Sequence, residues 1–316
     1  MTFSTHLQTF AGRRVVAVPE SGPLPDLGEP VAWHLSTWHY EADDEDDVVS
    51  PRFVEALDRL VGTSGPAIES LVVGAWGYAA FHPAPIDALR EAAPRLPNLR
   101  SLFLGDMTSE ECEVSWMKVG DVSRVLAACP RLELFAARGG EEFTFSPVKH
   151  DTLRALVVQS GGLSGDFVTA VLNSSLPALT DLELWLGTET YGGTTTVEHV
   201  APLLSGELFP GLRRLALRNA EIADELAAAL ASAPVVARLE RLDLSLGTLT
   251  DAGAEALLSG RSLTHLAELD LHHHFLSEEV AASLPARLPG VRVDVSEPQE
   301  PDVDDDEIYR YTAVSE

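Results

Sequence analysis

Apolar residues in this chain follow two alternating rhythms. In residues 239–258, LERLDLSLGTLTDAGAEALL, leucines at 239, 242, 244 and 246 have the near-alternate spacing of a short strand. The same stretch then changes period, and Ala254, Leu257 and Leu258 fall on one face of a helix that Thr250 or Asp251 would cap and Gly260 would end. The spacing L-x-x-L-x-L recurs from Ile68, Leu99, Leu132, Leu153, Leu179, Leu212, Leu239 and Leu266, at intervals of 31, 33, 21, 26, 33, 27 and 27 residues. A weaker copy, AWHLSTWHY at 32–40, aligns with SLVVGAWGY at 70–78, and VRVDV at 291–295 reads as a closing edge strand.

Helical spacing fills the intervals. Phe53, Val54, Leu57, Leu60 and Val61 mark a helix over 51–61, and similar patterns cover 222–230 and 280–288. Ser277 followed by Glu278 and Glu279 reads as a helix start, with a capping hydroxyl and acidic residues at the positive end of the dipole. One strand and one helix cannot bury their apolar faces alone, whereas stacked copies can. The expected fold is therefore a curved α/β solenoid, a horseshoe of about eight to ten strands, with a parallel β-sheet lining the concave side and helices outside.

These residues resemble the leucine-rich-repeat family in its ribonuclease-inhibitor-like form. The resemblance rests on the L-x-x-L-x-L spacing, on the apolar eleventh position held by Leu163, Ile222, Leu249 and Leu276, and on LTDAGAEALL; it covers roughly residues 31–295. The family's ninth-position Asn or Cys is missing: Trp38, Trp76, Met107, Gly140, Gly161, Gly187, Ala220, Gly247 and His274 stand there, so uneven curvature is expected. The 21-residue interval leaves EEFTFSPVKHD extended or as a single turn, and TETYGGTTT is expected to project as a loop. Residues 1–30 would form an N-terminal cap, 31–296 the repeat solenoid, and 297–316 an acidic tail whose end has the alternation of a last small strand.

Charge narrows the function classes. The 316 residues carry a net charge of −27, which disfavours phosphate backbones and anionic membrane surfaces and favours a partner with a basic face. Two cysteines, Cys112 and Cys129, are too few for a disulfide framework and suit a reducing compartment. With no signal-like apolar run at the start and no span of ~18 apolar residues, the chain reads as a cytoplasmic monomer. Lysine occurs only at 118 and 149, all other basic side chains being arginine, which suggests a GC-rich bacterial genome.

Catalytic signals are weak. In His272-His273-His274, neighbours on a strand point to opposite faces, which weighs against a metal site. DDEDD at 43–47 lacks the alternating ligands and central glycine of a calcium loop and reads as a solvated acidic loop. Cys129 reads as a small buried apolar residue, and Glu111 and Glu113 would raise the Cys112 pKa. No phosphate-loop, nucleophile-elbow or zinc-helix motif occurs, so no catalytic residue, cofactor or metal is assigned.

The third, fifth and seventh repeat positions should face the concavity. They are small or apolar in the N-terminal half and charged in the C-terminal half. Cross-strand charges can simply satisfy one another there. Alternatively they form a docking surface in which Trp185 is ringed by Asp181, Glu183, Arg214, Arg218, Arg241 and Asp243, with Asp270 and His272 as further contacts; a second placement folds Trp185 over the neighbouring strand or beneath the TETYGGTTT loop. The family resemblance implies a non-catalytic scaffold for a protein or peptide. It also leaves open an accessory subunit of a bacterial modifying-enzyme system, such as a radical-SAM or ATP-grasp protein, and a metal-dependent enzyme at the His272 region.

Overall fold

The computed structural model describes residues 3–19, 21–39, 48–305 and 307–315; the acidic run at 43–47 lies outside them. The chain forms two compact units, one running to Val158 with Asn173–Ala178 added, the other formed by Gln159–Leu172 and Leu179–Ser315.

In the first unit, strands β1 (Thr9–Phe10), β2 (Arg13–Ala17), β3 (Ala32–Leu35), β4 (Ser70–Val73), β5 (Ser101–Leu104), β6 (Leu134–Arg138) and β7 (Ala155–Gln159) occur with helices α1 (Pro51–Ser64), α2 (Ile86–Ala92) and α3 (Ser123–Ala128). β1 and β2 pair antiparallel, and β2 to β6 pair in parallel succession. Ser50 caps α1 by accepting from the Phe53 amide, and Phe53, Leu57, Leu60 and Val61 form its buried face. Residues 141–151 contain no helix, as the short interval requires; they run extended, with isolated bridges at Glu141, Thr144 and Lys149.

The second unit alternates α4 (Gly165–Leu172), β8 (Asp181–Gly187), α5 (Val197–Leu204), β9 (Arg214–Ala220), α6 (Ala223–Ser232), β10 (Arg241–Asp243), α7 (Asp251–Ser259), β11 (Glu268–Asp270), α8 (Glu278–Arg287) and β12 (Arg292–Asp294). β8 to β12 are paired in parallel, in register. Leu242 and Leu269 face one another across β10 and β11 and are 0% exposed, the column expected from the repeat register. Thr250 and Ser277 cap α7 and α8 by accepting from the Ala252 and Val280 amides. Ala254 and Leu257 are buried, but Leu258 is half-buried, at the margin of the helix face rather than inside it. This is the leucine-rich-repeat α/β architecture. The strands β1 to β12 exceed the expected eight to ten because β1 and β2, short and weakly patterned, precede the first recognisable copy; two further strands lie in the tail.

The TETYGGTTT segment folds back instead of projecting. Gly162 and Gly187 form an antiparallel bridge, the Thr195 hydroxyl donates to the Leu163 carbonyl at 2.8 Å, and the Gly165 amide donates to the Thr194 hydroxyl. A β-carbon at Gly187 would collide with the Gly161 carbonyl, so the close backbone approach requires glycine. Among the described residues no helix is long and apolar enough to cross a membrane.

The tail forms a hairpin, β13 (Asp302–Asp304) with β14 (Glu307–Tyr309), and then docks without strand pairing. It crosses three consecutive repeats at their eighth positions, where Asn219, Leu246 and His273 all have left-handed backbone (φ 53°, 66° and 55°). The bend turns each of these residues toward the tail. His273 Nε2 meets the Tyr311 carbonyl at 3.3 Å, the Ala313 amide donates to the Leu246 carbonyl at 2.9 Å, and the Asn219 side chain donates to and accepts from the Val314 backbone. Thr312 and Val314 are buried by this contact.

Candidate functional site

The concave positions differ between the two units. In the first, Ala32, Val72, Phe103 and Ala136 form an apolar column, and a sheet face of this kind needs a cover. The chain's own beginning supplies one. Phe10 joins that cluster, its ring centroid 5.9 Å from that of Phe103, and Leu7 and Val15 pack at its margin. Further back, the Phe3 carbonyl accepts from the Ser109 amide, and the Phe3 ring lies 3.5 Å from the Arg138 guanidinium. Both Asp106 carboxylate oxygens accept from the Leu7 amide.

In the second unit the same positions carry charges in registered columns. Asp181, Arg214, Arg241, Glu268 and Arg292 stand side by side on β8 to β12, and Glu183, Ala216, Asp243, Asp270 and Asp294 form the next column. Three aspartates thus face one another on adjacent strands, an arrangement that costs repulsion. Each has a local partner: Asp243, Asp270 and Asp294 accept from the amides of Ser245, His272 and Ser296, two residues ahead. Burial pushes the Asp243 carboxyl above its ordinary pKa, against the opposing pull of Arg218. The hydrogen bonds from Ser296 hold Asp294 below its ordinary value.

The structure brings the nine predicted contact residues onto one face, but not in the predicted arrangement. Trp185 is only 4% exposed and does not project as an anchor. Its indole NH donates to Glu183 at 2.7 Å, and the Arg218 guanidinium lies 5.2 Å from its ring centroid. Arg218 also donates to Ser245 and approaches Asp243 at 3.3 Å, so the β8–β9 charges that were expected to ring an open tryptophan instead cover it. His272 pairs with Asp270 at 2.7 Å. Arg214 pairs with Asp181, and Arg241 and Arg292 share Glu268, yet the Arg214 and Arg241 side chains remain 50% and 56% exposed.

The three consecutive histidines do not converge. His272 turns to Asp270 and His273 to the tail, while His274 is buried, with Nε2 3.0 Å from the Val295 carbonyl and Nδ1 accepting from the Leu276 amide. Cys129 is buried at the end of α3, its thiol pushed up to about 11. Burial first, then the nearby glutamates, pushes the Cys112 thiol up to about 12, which leaves neither cysteine nucleophilic near neutral pH. A group absent from the sequence reading does converge: His6, His34 and Asp106, from the covering segment, β3 and the turn after β5. These positions share no spacing or motif that would connect them.

No family model matches the chain, and no curated protein matches it. Among solved structures, it is similar to a Bacteroides fragilis protein determined as a structural-genomics target, with TM-score 0.73 and 30% identity over 81% of this chain and 75% of that one. A Listeria monocytogenes internalin (TM-score 0.41, 18% identity, 81% and 59% covered) and the leucine-rich-repeat protein LegL7 of Legionella pneumophila (TM-score 0.44, 17% identity, 88% and 89% covered) also match.

Proposed function

We propose, on the premise that this chain is a leucine-rich-repeat protein and belongs to one family with the Bacteroides fragilis protein, that it is a non-catalytic scaffold whose second unit binds a protein or peptide on its concave face. The observation that carries this reading is the pair of registered columns just described. Exposed arginines stand in one column and the three local-bonded aspartates in the next, on adjacent strands spaced ~4.8 Å apart. Such an array is ordered before a partner arrives, so little conformational freedom remains to be lost on binding. Its first-unit counterpart is already occupied by the chain's own residues 3–10.

The partner should present a basic face toward Asp243, Asp270 and Asp294 and a carboxylate toward Arg241, and the net charge of −27 favours its approach. Trp185 contributes as a buried support beneath Arg218, and the contact surface is polar. The test is a cross-linking pull-down from extract of the source organism with three forms of the protein. A partner retained by the wild type and by Glu225→Ala/Glu279→Ala on the outer helices, but lost by Arg241→Glu/Asp270→Lys, supports the assignment. Retention by the inner-face variant, with loss in the outer one, would overturn it.

A further inference from the structure

We propose that His6, His34 and Asp106 form a binding site for one divalent transition-metal ion of the zinc class, which clamps the covering N-terminal segment to the concave sheet of the first unit. The three side chains each offer a ligand atom within 4.8 Å of the other two. The Asp106 side chain is 2% exposed and that of His34 12%, so two of the ligands are held inside the protein while the more open His6 closes over them.

The hydrogen-bond pattern calls for a cation. Nδ1 of His6 lies 3.1 Å from the Asp106 carbonyl, which can only accept, so this nitrogen carries the proton and Nε2 carries a lone pair. That Nε2 faces a Glu111 carboxylate oxygen at 3.4 Å. Nε2 of His34 is buried without a hydrogen-bond partner and faces Asp106 Oδ2 at 3.5 Å. The Glu111 oxygen already accepts from the Thr108 amide and hydroxyl, so the costly contact is the buried His34 nitrogen, which has no partner. A metal ion between His34 Nε2 and Asp106 Oδ2 gives that nitrogen a partner and brings His6 within reach of the same ion.

Distances and charge agree with this reading. Ligands on a tetrahedral zinc ion, with bonds of ~2.0–2.2 Å, lie about 3.4 Å from one another. The 3.5 Å between His34 Nε2 and Asp106 Oδ2 and the 3.4 Å between His6 Nε2 and Glu111 match that edge and are long for hydrogen bonds. Asp106 and Glu111 contribute two carboxylates against one nearby guanidinium, that of Arg138, which burial pushes down to about 10 against the pull of Asp106. The Leu7 amide orients the Asp106 carboxylate, as outer hydrogen bonds orient metal ligands elsewhere. Three protein ligands would leave a fourth position for Glu111 or water.

The experiment is a titration of EDTA-stripped full-length protein at pH 7.5 with zinc chloride alone, followed by calorimetry and by thermal unfolding, with cobalt(II) absorption as a report of tetrahedral coordination. One ion should bind per chain and raise the unfolding midpoint. His6→Ala, at the accessible ligand, should fold as the wild type does, bind at least about tenfold more weakly, and lose the midpoint rise and the cobalt spectrum. Asp106→Asn should behave alike, while His273→Ala should leave all three readouts unchanged. Substoichiometric binding to the wild type, full binding by His6→Ala, or binding lost only in His273→Ala would each overturn the site.

Discussion

The two units apply one repeat to opposite ends. In the first, the concave columns are apolar and the chain's N-terminal segment lies on them; in the second they are charged, and the C-terminal tail crosses the strand ends while leaving the sheet face open. The difference shows that a repeat's concave position has no fixed role. Burying Val72, Phe103 and Ala136 requires a cover, which the fold supplies internally. Arg214 and Arg241 remain half exposed to water and need none. An uncovered sheet face therefore goes with polar columns, and an apolar column in an inner position signals a segment to be found elsewhere in the chain.

Phe10→Ala should have the largest effect on this contrast. Removing the ring that fills the first unit's column should cost about 3–5 kcal/mol, limited only by the cost of releasing the segment altogether. Chemical denaturation followed by hydrogen exchange should place the loss in the first unit. An effect below 1 kcal/mol would mean that residues 3–10 rest on the sheet without covering it. Leu242→Ala, in the shared strand column of the second unit, should cost roughly 2–5 kcal/mol by the same measurement, since strand leucines are core in both units whatever faces the concavity.

Asn219→Ala should cost about 1–3 kcal/mol, because it leaves the Val314 amide buried without its partner, while the carbonyl keeps the Thr312 hydroxyl. It should also speed proteolysis of the tail. Unchanged cleavage after Thr312 would show that Asn219 does not hold it.

Acid should separate the units in sign. The folded-state pKa of His34 lies below 6.5, so its contribution is complete above that pH and is lost as pH falls through the depressed value. The Asp243 pKa lies above 3.8, so its contribution is present below 3.8 and is lost as pH rises through the raised value. In EDTA, His34→Gln should flatten the loss of stability below pH 6.5, and Asp243→Asn should raise stability near neutral pH. The reverse signs would refute the burial account of both groups. The smallest effect is expected for Arg214→Ala, no more than about 1 kcal/mol, because its pair with Asp181 is half exposed. Its consequence should appear in partner binding.

The strand register was legible residue by residue, and so were the helix caps at Thr250 and Ser277. The charged columns were also legible, but of the open and covered placements that the sequence allows for Trp185, only the structure selects the covered one. Period-2 alternation places a side chain on the concave face and says nothing of whether the next strand's Arg218 closes over it. β1 and β2 escaped because five residues of half-buried RRVVA carry no repeat spacing.

The sequence alone determined what is local and periodic: leucines at fixed spacing specify strands, the intervening helical period specifies the connections, and repetition makes stacking the way to bury both. Tertiary structure alone decided what covers each face. His6 meets Asp106 across 100 residues of chain, and Asn219 meets Val314 across 95. Contacts so distant are chosen by whichever surface the folded repeats leave apolar or unpaired, and that surface exists only once the stack has formed.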